Sequence, residues 1–335
     1  MLRRSTVTAA VVMLGLVGVV VACGRPATHR IDTVRLQLKW LPQAQFAGYY
    51  AAKARGYYRD ENLEVTLLPG GVDVVPEAAV AEGRADLGIT WLAHLLVARE
   101  RGLPIVNVAQ IFAHGGLRQI ALATSGIRGP ADLRGRTVAV WPGHEPSLLA
   151  TLAKHGIAPR EITLVSQPLG MDFFVKRQVD SAAAMTYNEL RQVREAGVAP
   201  EQLVVIDFNK EGTATLEDGL FARAEWLRSP DNVRVAGGFL RASLRGWELC
   251  RDRTAECLDI LLRETSGLER PHQAWMLTEV ITLIYGPPTP GVAVGRMDRN
   301  AFARTADILQ RHAVLKRPAD TAAYTDSVWQ EAQRR

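Results

Sequence analysis

From Val34 to Asp207, short strand-like runs alternate with stretches of helical spacing, and a layered α/β fold is the architecture that buries both kinds of element at once. "VRLQLKW" alternates apolar and polar residues and reads as a strand. The helix-like stretch after it closes near Gly56, and "LEVTLLP", "DLGIT" and "LPIVNVAQIF" are further strands separated by "VVPEAAVAEGRA" and "WLAHLLVARERG". A second unit of the same kind begins near Leu117. Its strands are "LRQIALAT", "RTVAVWPG", "EITLVSQ", "SAAAMT" and a last one, "QLVVID"; "EPSLLATLAKHGI", "MDFFVKRQ" and "NELRQVREAG" read as helices between them. From about Leu220 the chain turns mostly helical, over 230–250, 254–264, 271–285 and 299–312. The expected division is a first lobe of 34–116 plus 214–335 and a second lobe of 117–213.

Residues 1–22 read as an export signal. Arg3 and Arg4 precede an apolar run from about Val7 to Ala22, shorter than the ~20 residues of a secure membrane span. The run ends in "VVAC", which has the form of a bacterial lipobox with Cys23 as the lipidated residue; a signal cut near Ala22 or an uncleaved anchor are the other readings. Residues 23–33 are polar and suit a tether. With 47% apolar and 22% charged residues, the remainder is globular in composition. The net charge of +5 comes without any dense basic run, which argues against a nucleic-acid partner.

Cys250 and Cys257 stand seven apart. On one unbroken helix their Cα atoms would lie ~10 Å apart, too far for a disulfide. However, "RDRT" between them reads as a helix end followed by an N-cap at Thr254, and such a bend can bring the thiols together. A disulfide and two free thiols both remain open. No His or second Cys pair lies at metal-ligand spacing, so no metal is expected.

No catalytic pattern emerges. Ser147 and His144 are close in sequence, but no nucleophile elbow surrounds the serine, and neither a phosphate-binding loop nor a dinucleotide turn is present. Instead, aromatic and polar residues gather where strands end, the edge at which α/β sheets meet ligands. They include Trp40, Asp73 in "PGGVD", Thr90 and Trp91, Trp141 with His144 and Glu145, and Tyr187, Asn188 and Glu189. The window "LQLKWLPQAQFAGYYAAKARGYY" is dense in aromatics for a chain that is 7% aromatic. Trp40, Gln45, Phe46 and Tyr49 are candidates for its ligand side, while Tyr50, Tyr57 and Tyr58 read as packing. Trp226, Trp247, Trp275 and Trp329 fall in helical stretches and also read as packing.

At "LKWLPQAQFAGYYAAKARGYY", "LPGGVDVVPEAAVAEGRADLGI", "VWPGHE" and "GMDFF…VDSAAAMTYNE" the chain resembles the solute-binding lipoproteins of ABC importers, in the branch related to the thiamine-pyrimidine synthase and the aliphatic-sulfonate binders. The resemblance implies a two-lobed α/β binding protein that is monomeric and lipid-anchored outside the cytoplasm. It would close by a hinge on one small molecule and present it to a permease, with no cofactor. The first motif is most similar to riboflavin-type and pyrimidine-type binders. The synthase carries a cofactor-holding lysine just after the strand matching "DLGIT", where this chain has Thr90, with His94 matching a following histidine. The synthase's cysteine-rich segment is replaced by "FNKEGTATLEDGLF". Synthase chemistry is therefore disfavoured, and the aromatic, acidic edge disfavours a sulfonate or taurine. A sensor that feeds no transporter is a further alternative.

Overall fold

The computed structural model describes residues 31–287 and 291–334. Cys23 and the expected signal lie outside them. The expected tether overlaps the first strand, which begins at Asp32.

Two five-stranded sheets form the framework. The first holds β1 (Asp32–Gln37), β2 (Leu63–Leu68), β3 (Leu87–Thr90), β4 (Ile105–Gln110) and β10 (Gly219–Arg223), in the order β2-β1-β3-β10-β4. The second holds β5 (Leu117–Leu122), β6 (Thr137–Val140), β7 (Thr163–Ser166), β8 (Ser181–Met185) and β9 (Leu203–Asp207), in the order β7-β6-β8-β5-β9. The two orders match. In each sheet four strands run in the same direction, and the strand that follows a crossing from the other sheet inserts antiparallel: β10 between β3 and β4, β5 between β8 and β9.

β10 corrects the sequence reading, which ended the strands at β9 and expected helix from about Leu220. "GLFAR" is too short to show a period, and its conformation comes from the two strands on either side of it. Phe221 packs where Gly88 has no side chain; a Cβ there would come within 2.5 Å of the ring. "MDFFVKRQ" also yields only a single helical turn, Asp172–Val175. The four C-terminal helices form at Pro230–Asp252, Thr254–Glu264, Arg270–Tyr285 and Arg299–Arg311, within two residues of the expected ends.

The aromatic window divides along its length. The helix Ala47–Ala54 packs on Pro230–Asp252, with Gly48 and Gly246 at the point of closest approach. Tyr49 stacks on Phe239 and meets Trp247 edge-on, with centroids at 6.3 and 5.8 Å. Tyr58 stacks on Phe239 at 5.2 Å, and its hydroxyl pairs with Ser243 Oγ at 2.9 Å. Phe46 is fully buried in the same cluster. Phe46 and Tyr49, both ligand candidates in the sequence, are therefore core residues, because the late helix supplies a complete apolar partner for that face.

Cys250 and Cys257 are disulfide-bonded, with Cα atoms 4.9 Å apart. Arg253 leaves the helical region and turns the chain between them, as the bend required. Thr254 is not the N-cap: it opens the second helix and donates its hydroxyl to the Cys250 carbonyl at 2.9 Å. Closing so short a loop constrains the unfolded chain by about 2.5 kcal/mol in the chain-entropy treatment. Reduction is therefore expected to lower the thermal midpoint by roughly 4 °C. Scanning calorimetry with and without reductant checks this; equal midpoints would contradict it.

The chain crosses between the sheets at residues 111–116 and 208–218. Glu217 ties the crossings together, accepting from the Gly116 and Leu117 backbone N–H groups at 2.8 and 2.9 Å. Burial pushes its carboxyl from 4.5 up to about 7. A raised carboxyl pKa means that the folded state holds an extra proton between those values, so the Glu217 contribution to stability falls as pH rises through that window and is level above it. The drop is about 3 kcal/mol. Glu217→Gln is expected to lose that part of the pH slope, read from urea midpoints between about pH 5 and 8. Parallel slopes in the two proteins would refute the assignment.

Candidate functional site

The carboxyl ends of strands from both sheets converge on one cavity of about 470 Å³, within the ~300–1,000 Å³ usual for small-molecule sites. The end of β1 supplies Lys39 and Trp40, and the end of β3 supplies Trp91. From the second sheet, β6 leads into Trp141 and His144, β7 into Gln167 and Leu169, and β8 into Tyr187, Asn188 and Glu189. Trp40 is fixed from behind by the turn after β2. Gly70 donates to the Trp40 carbonyl at 3.1 Å, and a Cβ on Gly70 would lie 2.4 Å from the Leu38 carbonyl oxygen. Only glycine lets the two backbones approach so closely.

Of the residues singled out in the sequence, Trp40, Gln45, Trp91, Trp141, Tyr187, Asn188 and Glu189 line this cavity. Phe46, Tyr49, Asp73 and Thr90 do not. Asp73 is exposed on the loop before the helix Pro76–Ala81 and does not cap it, since Val75 occupies the N-cap. Thr90 is buried, with its hydroxyl donated to the Glu77 carboxylate beneath the sheet edge. Ser147 and His144 form no catalytic pair. The Ser147 hydroxyl accepts from the Thr215 N–H, and His144 Nδ1 faces the Pro142 carbonyl. Among the described residues no group of three or more His, Cys, Asp or Glu is placed to hold a metal.

The polar lining is braced from behind. Asp218 accepts from Trp91 Nε1 at 3.0 Å and from Gln45 Nε2 at 2.7 Å, while Gln43 donates to Gln45 Oε1 at 2.8 Å. This chain of bonds sets the plane of the Trp91 indole. Burial raises the Asp218 carboxyl, and the Lys39 charge works against that rise. On the opposite wall, Glu189 accepts from the Met185 N–H at 3.0 Å and from Asn188 Nδ2 at 2.7 Å. Its carboxylate thus holds the β8 turn in shape. Asn188 Oδ1 in turn meets His272 Nε2 at 2.9 Å, and Trp275 Nε1 donates to the Thr186 carbonyl at 2.9 Å. The helix Arg270–Tyr285 therefore supports this wall from outside.

Several lining residues were not legible as such: Lys39, Gln43, Val72, Gln167, Pro168, Leu169 and Met185. Gln167 directly follows β7, so the strand-end rule that found Trp141 also applied there. Lys39 continues the polar face of Arg35 and Gln37, a pattern that suggests solvent. Gln37 is in fact 5% exposed, although Arg35 on the same face keeps 44% of its side-chain surface open.

Lys39 sits in a cluster of rings. Its Nζ is 3.2 Å from His94 Nδ1 and 5.2 Å from the Trp91 centroid. His144 reaches in from the second sheet, edge-on to Trp91 at 4.5 Å and to His94 at 5.0 Å. Desolvation lowers the Lys39 ammonium, with Asp218 opposing. It also drives His94 well down and His144 to about 3, with Lys39 adding to both effects. Both imidazoles are therefore neutral at pH 7. His94 takes the Lys39 proton donor at Nδ1 and hydrogen-bonds the Gly143 backbone, a contact from the first sheet's side of the cavity to the second's. The arrangement can hold a flat molecule between indole and phenol faces while presenting one cationic donor at the edge.

Comparison with known proteins agrees with this architecture. The chain is 28% identical over 308 residues to the riboflavin-binding protein RibY of Chloroflexus aurantiacus, covering 88% of this chain and 85% of the relative. It is 23% identical over 294 residues to a formylaminopyrimidine-binding protein of Halalkalibacterium halodurans, covering 86% and 88%. The fold is shared with the periplasmic aliphatic sulphonate binding protein SsuA from Escherichia coli, with a TM-score of 0.67 and 18% identity over 86% of this chain and 90% of that one. The NMT1/THI5-like family model matches residues 43–256, more than half of the sequence, and the chain belongs to that family.

Proposed function

We propose that the chain is the solute-binding component of an ABC importer, which captures a small flat heteroaromatic vitamin-type ligand, riboflavin or a thiamine pyrimidine precursor, by closing two lobes over it. It would act outside the cytoplasm on a lipid anchor at Cys23, as a monomer, and hand its ligand to a permease. The observation that carries the reading is the gathering of aromatic side chains from both sheets around one cavity: Trp40 and Trp91 from the first, Trp141 and Tyr187 from the second. Flat ligands gain from such faces both apolar burial and stacking. The ligands named for RibY and for the formylaminopyrimidine binder support the same class. A sulfonate fits less well, because the described lining holds one lysine and no arginine.

Binding without chemistry is the proposed role, since the Thr90 hydroxyl is engaged by Glu77 and offers no amine for a cofactor. Native mass spectrometry of the intact protein with riboflavin, 4-amino-5-hydroxymethyl-2-methylpyrimidine and taurine, one at a time, tests the reading. One of the two ring compounds is expected to give a 1:1 complex. A complex with taurine alone would overturn it, as would a coloured adduct with pyridoxal phosphate that turns over.

A further inference from the structure

We infer that Lys39 is the residue that reads the ligand's edge, donating from Nζ to a carbonyl oxygen on a neutral heteroaromatic ring lying against Trp91. This rests on the flat-ligand reading above and narrows it. An ammonium carries three donor hydrogens and no acceptor. One points to His94 Nδ1, and among the described residues no carboxylate lies at ion-pair distance. The nearby carboxylates and the Gln167 amide are already engaged. Both Asp218 oxygens accept from Trp91 and Gln45, both Glu189 oxygens from Met185 and Asn188, and Gln167 is bonded through both ends of its amide to Ala183. Lys39 is the charged donor with unspent hydrogens on the cavity wall, and a ligand that displaced water from it would have to supply an acceptor.

The charge pattern selects the kind of acceptor. The Lys39 charge is already balanced through space by Asp218, with Glu77 and Glu217 adding to the same effect. An anionic ligand would meet those carboxylates as well as Glu189 across the cavity, whereas a carbonyl oxygen takes the hydrogens without adding a charge. The neutral His94 and His144 rings are compatible with that choice, since neither contributes a cation. The amine is carried by the end of β1 and not by position 90, where this chain has Thr90.

The test uses the full-length wild type and Lys39→Met, a variant that keeps the length and removes the donor, with Lys39→Leu as a second donor-free variant should the first fail to fold. Thermal midpoints establish folding. Three probes are titrated calorimetrically: lumiflavin, which has ring carbonyls; 4-amino-5-hydroxymethyl-2-methylpyrimidine, which has none; and 2-naphthalenesulfonate, a flat anion. The expected result is that Lys39→Met weakens lumiflavin binding at least about tenfold and changes pyrimidine binding by less than about threefold. Equal lumiflavin affinity in wild type and variant would overturn the inference while leaving the flat-ligand reading intact. Tighter wild-type binding of the naphthalenesulfonate, abolished in Lys39→Met, would overturn it in favour of an anion. Failure of all three probes to bind the wild type would remove the flat-ligand reading, and this inference with it.

Discussion

Gly246→Ala is expected to destabilise the protein by about 3 kcal/mol or more. A Cβ at position 246 would stand 2.0 Å from the Gly48 carbonyl oxygen and 2.9 Å from the Ala52 amide nitrogen. Those are backbone atoms of the helix Ala47–Ala54, so no rotamer change relieves the clash and the two helices must separate. Separation would also pull Tyr49 from Phe239 and Trp247, the aromatic centre of the first lobe. The reciprocal change, Gly48→Ala, meets Trp247 at 2.2 Å and is expected to be nearly as damaging. Gly129→Ala serves as the control, because nothing lies within 4 Å of its added carbon and its backbone is extended. Urea unfolding followed by tryptophan fluorescence reads all three. A Gly246→Ala midpoint equal to that of Gly129→Ala would show that the helix contact is not as close as described.

Trp91→Ala is the second large effect, this time on binding. Its indole lines the cavity, carries the Lys39 ammonium 5.2 Å from its centroid, and donates to Asp218. Removing it takes away a stacking face worth about 1–3 kcal/mol together with the orientation of the Lys39 donor. A loss of about 100-fold in ligand affinity is expected. Trp91→Phe keeps a ring but leaves one Asp218 oxygen without its donor, and a loss of about tenfold is expected there. Calorimetric titration with riboflavin, or with the pyrimidine if that is the ligand bound, checks both. Wild-type affinity in Trp91→Ala would place the ligand elsewhere.

The residues at strand ends were the legible part of the site. An aromatic or amide that closes a strand of an α/β sheet has few partners in its own lobe, so Trp40, Trp91, Trp141 and Tyr187 could be picked out by position alone. Phe46 and Tyr49 could not be separated from them, because helical spacing gives a face and not its partner. That partner, Phe239 and Trp247, arrives some two hundred residues later. Lys39 was not legible for the opposite reason: a lysine on the polar face of a strand normally points to water, and only the tertiary fold brings this one against His94 and Trp91. β10 was missed because five residues carry no period and their hydrogen bonds come from β3 and β4. The charge balance changed too. The edge looked acidic in the sequence; Asp73 faces solvent, whereas Glu189 lines the cavity along with one lysine, Lys39.

A crystal structure of the protein grown with its bound ligand tests the central claim most directly. Ring density is expected between Trp40 and Trp91 on one side and Trp141 and Tyr187 on the other, in contact with residues of both sheets. Ligand density confined to one sheet's residues, or lying outside this cavity, would contradict it.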